Sequence, residues 1–188
     1  MKKQIIITVL LLVTSVFSVN AQKEISGVKV SNTLAVEGHD LTLNGAGLRE
    51  KMWIDLYVGA LYLPKKSSNA AEIMSSNDAQ AIKLTIVSGM ITSEKMISAV
   101  NEGFESSTGK NTAPIKTKID KFKSFFKEEI KKGDEFVIAN IPGKGVVVSK
   151  NGVTKGSIDG LDFKKALFGI WLSNKPADDD LKKGMLGK

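Results

Sequence analysis

The chain has 188 residues, 42% of them hydrophobic and 25% charged, the composition of one globular domain, which excludes intrinsic disorder and collagen-like repeats. Its formal charge is +7, and it contains no Cys and a single His. That excludes disulfides, thiol nucleophiles and metal sites rich in nitrogen and sulfur ligands, and nothing in the sequence calls for a cofactor. Of the 27 basic residues, 26 are Lys and the exception is Arg49, so any planar, bidentate recognition of an anion falls to that residue.

In chain order, Lys2-Lys3, an apolar run over 5–13 and small residues up to Val19-Asn20-Ala21 form the pattern of a secretory signal, with cleavage expected after Ala21. Residues 1–21 are read as the signal and 22–188 as a single domain of an exported bacterial protein, periplasmic or secreted. The apolar run is shorter than the ~20 residues that span a bilayer, and no later segment matches it, so no transmembrane segment is expected in the mature chain. Without Lys2 and Lys3 the charge is +5, and the remaining lysines are interleaved with acids, as in Lys127-Glu128-Glu129. No coherent basic face with aromatic or Arg readers emerges, so a nucleic-acid partner is not expected.

Loose alternation over 25–36, then Leu41, Leu43 and Leu48 among polar and small residues, predict two or three strands, with Gly45 and Gly47 marking a bend or a close backbone approach. The β-rich run 52–63 stops at Pro64 and predicts one long central strand. A short helix over 69–75 and a strand over 81–87 follow. Thr92 or Ser93 then caps a helix whose Met96, Ile97, Val100 and Phe104 form a core-facing stripe. A second amphipathic helix is expected from Pro114 to Lys131-Lys132-Gly133, with Ile115, Ile119, Phe122, Phe125, Phe126 and Ile130 on its apolar side. Strands over 135–141, 144–149 and 153–158 come next, the last two joined by a tight turn at Asn151-Gly152. An apolar helix over 161–172 and a closing helix over 176–186, with Pro176 in its first turn, complete the chain. The order of elements predicts one α+β domain, an antiparallel sheet with helices packed on one face.

Most local candidates for chemistry have plain structural readings. His39 sits in the turn-like sequence Glu37-Gly38-His39-Asp40, Gly143-Lys144-Gly145 lacks the spacing of a phosphate loop, and Asp178-Asp179-Asp180 is accounted for by a helix macrodipole on a solvated face. The segment Leu43-Asn44-Gly45-Ala46-Gly47-Leu48-Arg49, followed by Tyr57-Val58-Gly59-Ala60-Leu61-Tyr62-Leu63, is different. It resembles the chalcone isomerase family and its bacterial and fatty-acid-binding relatives. Weaker likeness runs through Thr92-Ser93-Glu94-Lys95 and from Phe163 to Leu186. The resemblance implies an open-faced β-sandwich, a long antiparallel sheet with helices over one side and a ligand cleft between them.

The resemblance also implies which chemistry is lost. In the flavonoid-cyclising enzymes a strand Thr, a helix Tyr, a helix Asn and a C-terminal hydroxyl surround the Arg. Here those positions align with Tyr57, Thr92, Ala99 and Ile170, so the cyclisation is not expected. Arg49 with Tyr57 suits the carboxylate of a small amphipathic acid such as a fatty acid, as the Arg and Tyr of the fatty-acid-binding relatives do. The implied ligand-binding set is Arg49, Tyr57, Trp53, Thr92, Met96, Ala99 and Ile170, with Val100 and Phe104 in the wall. The first reading is an exported, non-catalytic binding protein. The alternatives are an isomerase or intramolecular lyase on an unknown substrate in the same cleft, and a partner-binding protein whose cleft has closed. A carboxylate of the protein paired to Arg49, for example Asp55, would favour closure. The even spacing of Arg49 and Tyr57 puts them on one face if they share a strand, whereas an intervening turn would leave their relation to the strand pairing.

Overall fold

The computed structural model describes residues 23–188, so the expected signal lies outside the described residues. A small hairpin, β1 (Lys23–Ile25) and β2 (Val28–Val30), precedes a seven-stranded sheet. Its strands are β3 (Thr33–Val36), β4 (His39–Lys51), β5 (Ile54–Leu63), β6 (Gln80–Ile86), β7 (Glu135–Ile141), β8 (Gly145–Lys150) and β9 (Val153–Ile158), antiparallel throughout and paired in chain order. The helices are α1 (Ala70–Ser75), α2 (Ser93–Ser107), α3 (Lys116–Ser124), α4 (Leu161–Leu172) and α5 (Asp179–Met185). None of them is long and apolar enough to cross a membrane.

Strand alternation divides the interior in two. Tyr57, Leu61 and Leu63 of β5, Ile82, Leu84 and Ile86 of β6, and Phe136 and Ile138 of β7 point into the helix-covered core. There they meet Met96, Val100 and Phe104 of α2, Ile119 and Phe122 of α3, and nearly the whole of α4. The opposite parity, Val58, Ala60, Tyr62, Ala81, Ala139 and Val147, forms a second layer against Val30 of the small hairpin. The helices thus cover one face as expected, and β1 and β2 lie against part of the other. The Tyr62 hydroxyl ties the two together by donating to the Ser31 carbonyl at 3.0 Å.

Three expected boundaries change. Met52 and Trp53 do not begin the central strand: both take positive φ, 54° and 60°, and form the turn that joins β4 to β5. The helix after Pro114 begins as a 3-10 turn, Ala113–Ile115, and α3 ends at Ser124, well before Gly133. It stops where the N–H groups of Phe125 and Phe126 bond to carbonyls three residues back, and Phe126 turns inward to sit 5.1 Å from the Phe136 ring of β7. Pro176 precedes the closing helix and is not in its first turn, because the Asp178 side chain caps α5 by accepting from the Leu181 N–H at 2.8 Å.

Candidate anion-binding site

The turn at Met52-Trp53 folds β4 back on β5 and brings Arg49 opposite Tyr57 as direct cross-strand partners. The two side chains therefore share a face through pairing, and it is the helix-facing one, since Tyr57 belongs to the helix-side core. Gly45 and Gly47 occupy the same face four and two residues before Arg49. A Cβ on Gly47 would lie 3.0 Å from the Leu181 Cα, and one on Gly45 would collide with the Gly184 carbonyl. The close approach expected of this Gly-x-Gly pair is the docking of α5, whose Leu181 and Met185 are fully buried.

Docking of α5 sets the surroundings of Arg49. Its guanidinium donates to the Ala177 carbonyl and stands 3.4 Å from the Asp178 carboxylate, with the two side chains 20% and 17% exposed. Asp55, the carboxylate considered for this role, instead accepts from the Ser26 hydroxyl at 2.6 Å. Asp178 is thus no solvated-face residue; it caps α5 with one oxygen and faces Arg49 with the other. Asp179 and Asp180 are exposed, in keeping with the macrodipole reading.

Tyr57 is 9% exposed, and its hydroxyl accepts from the indole N–H of Trp171 in α4 at 3.0 Å. Burial pushes the hydroxyl above its ordinary value of 10.0, and Asp178 adds to this against the opposing Trp171 hydrogen bond and the Arg49 charge. Tyr57 therefore keeps its proton at physiological pH. Among the described residues no acceptor engages that proton, which leaves Arg49 and Tyr57 as a cation and a neutral donor side by side. A guanidinium beside a protonated hydroxyl has the donor set that suits an oxyanion, and a tyrosine held protonated is a poor general base.

The other expected members are dispersed. Met96, Val100 and Ile170 lie in the core between α2, α4 and the sheet, with Phe104 deeper among the phenylalanines. Thr92 caps α2 by accepting from the Lys95 N–H and is exposed, and Ala99 is exposed on the outer side of that helix. Trp53 is 92% exposed at the hairpin tip, not in the wall. His39 opens β4 ten residues from Arg49, about 33 Å along a strand. A cavity of about 610 Å³ opens elsewhere, between β4 and the end of α5, lined among others by Lys23, Asn44, Lys66 and Lys188 and by neither Arg49 nor Tyr57.

Two side chains that touch this pair escaped the sequence reading, Asp178 and Trp171. Asp178 was concealed by two further aspartates, and the indole N–H of Trp171 by the apolar helix that carries it. Neither has a local signal, because their roles exist only once α4 and α5 cross β4 and β5.

The family described as chalcone isomerase-like matches residues 22–187, and the chain belongs to that family. A search of curated proteins finds no match. Among solved structures, the chain resembles the crystal structure of an Arabidopsis thaliana fatty-acid binding protein at 18% sequence identity and a TM-score of 0.67. That match covers 86% of this chain and 92% of the plant one, and at this identity the likeness is one of fold.

Proposed function

We propose that this member of the chalcone isomerase-like family is a non-catalytic binding protein for a small amphipathic acid, with a fatty acid as the model ligand. The observation that carries the reading is the cross-strand pairing of Arg49 with Tyr57 on the helix-facing side of the sheet. It presents a permanent cation beside a hydroxyl that burial keeps protonated. The fatty-acid binding protein of the same fold supports the reading. The carboxylate is held by Arg49 and Tyr57, and the alkyl chain enters the apolar layer of Met96, Val100 and Ile170, gaining ~0.8 kcal/mol per buried methylene.

The reading is tested by native mass spectrometry of the mature protein with lipid extraction, repeated on Arg49→Ala. The expected result is a co-purifying acyl acid that disappears in the variant. No bound acid in either form, with no uptake of added fatty acids, would overturn it. That result would favour the second reading, a closed cleft with the chain acting on a protein partner, to which the Arg49 contact with Asp178 lends weight. Export is part of the same proposal, supported by the pattern of residues 1–21. N-terminal sequencing of the protein from the periplasm or medium is expected to begin at Gln22.

A further inference from the structure

Arg49 already faces a carboxylate, and it belongs to the protein. The segment 173–178 between α4 and α5 is laid against the site by the Ala177 N–H on the Ile170 carbonyl at 2.7 Å. Lys182 holds its start by donating to the Ser173 carbonyl at 2.8 Å. Its last two residues supply both acceptors that occupy the Arg49 guanidinium. Beyond it, α5 is fixed far more firmly: Leu181, Met185 and Leu186 are buried, and the helix backbone lies against Gly45 and Gly47. Exposing three large apolar side chains is a far greater barrier than parting the two guanidinium contacts and the few hydrogen bonds that hold 173–178, so access to Arg49 is expected at 173–178 with α5 in place.

We propose that Asp178 is an internal competitor for Arg49 and thereby sets the shortest acyl chain the protein retains, an inference that rests on the carboxylate-binding reading of the site. A tethered carboxylate competes at a high effective concentration, so an incoming acid displaces it only through the burial of its tail. Each buried methylene multiplies affinity about fourfold. A roughly tenfold handicap from Asp178 is therefore worth about two methylenes of chain length.

Asp178→Asn is the discriminating substitution, because Asn also caps helices and α5 is retained while the competing charge is lost. Binding of dodecanoate, decanoate and the uncharged dodecanol is measured by calorimetry on the wild type, Asp178→Asn and Arg49→Ala, with circular dichroism confirming the fold. The expected result is that Asp178→Asn tightens both acids about tenfold and leaves dodecanol unchanged, so that decanoate binds the variant about as well as dodecanoate binds the wild type. Equal tightening of dodecanol and the acids would mean a generally loosened segment and would overturn the proposal. So would wild-type binding that depends on Arg49 but is unchanged or weakened in Asp178→Asn, which leaves the anion site intact. Acid binding that survives unchanged in Arg49→Ala, or is absent from the wild type and Asp178→Asn alike, would overturn the underlying reading itself.

Discussion

Arg49 was visible in the sequence because it is the only guanidinium, yet its neighbours were not, since Asp178 and Trp171 lie 129 and 114 residues from their respective partners Arg49 and Tyr57. A second cation is shaped by its tertiary surroundings. Lys164 lies in the apolar helix α4 and is fully buried, with its ammonium donating to the Ile73, Met74 and Ser76 carbonyls at the end of α1. It also stands 4.7 Å from the Phe168 ring centre. The charge thus supplies what the C-terminus of α1 lacks, donors for its last carbonyls. Burial lowers its pKa from 10.5 to about 8, opposed by the Asp78 charge. Between these values the unfolded chain binds more protons than the folded one, so the Lys164 contribution makes stability rise with pH from about 8 towards 10, by at most about 3 kcal/mol. The tyrosines reverse the trend: burial and Glu135 push Tyr62 to about 12, so the unfolded chain loses that proton first and stability declines above pH 10. Chemical denaturation across pH 7 to 11 is expected to show a maximum near pH 10. In Lys164→Met the rise is expected to vanish, with a loss of about 1–3 kcal/mol at pH 7 from the carbonyls left without their donors.

Helix α5 sets the surroundings of Arg49, and its docking rests on glycines. A strand glycine replaced by a residue with a side chain ordinarily gains stability, because glycine carries the larger entropy of the unfolded chain. At Gly47 the sign is expected to invert, since the new Cβ meets the Leu181 backbone at 3.0 and 3.1 Å. Gly47→Val is expected to cost about 1–3 kcal/mol in urea unfolding and to raise hydrogen exchange in α5. Gly89→Ala, with nothing within 4 Å of the added Cβ, is expected to stay near neutral. Elements were legible in the sequence where period and caps agreed, as for α2 with its Thr92 cap and the Asn151-Gly152 hairpin. They were misjudged where tertiary contacts outweighed local pattern: the phenylalanines after Ser124 continue an apolar helical period, but ring packing on β7 ends the helix. Trp53 is a good β-former and Met52 precedes a β-rich run, and nothing local announces a turn in which both adopt positive φ.

For the molecule as a whole, the proposed binding would be linked to folding through the helix-covered core, because the alkyl chain is expected to enter the layer that joins α2 and α4 to the sheet. A ligand at a hundred times its Kd adds about 2.7 kcal/mol to stability. In a domain of this size that is a rise in Tm of about 5 to 10 °C. Saturating dodecanoate is expected to produce that shift in the wild type and none in Arg49→Ala; equal shifts in both would place the acid away from Arg49. The α+β class, the antiparallel sheet, the helix-covered face and the chalcone isomerase-like family were all legible in the sequence alone. Each follows from hydrophobic period, turn chemistry or a short motif that survives without context. What only the tertiary structure decided is the state of the site. Trp53 left the wall because a turn replaced the start of a strand, and Arg49 met Tyr57 across that turn. A carboxylate from the far end of the chain reached Arg49 because helix α5 packs on glycines. Those outcomes depend on which surfaces meet in space, and pairings between distant residues leave no mark on the local pattern of either partner.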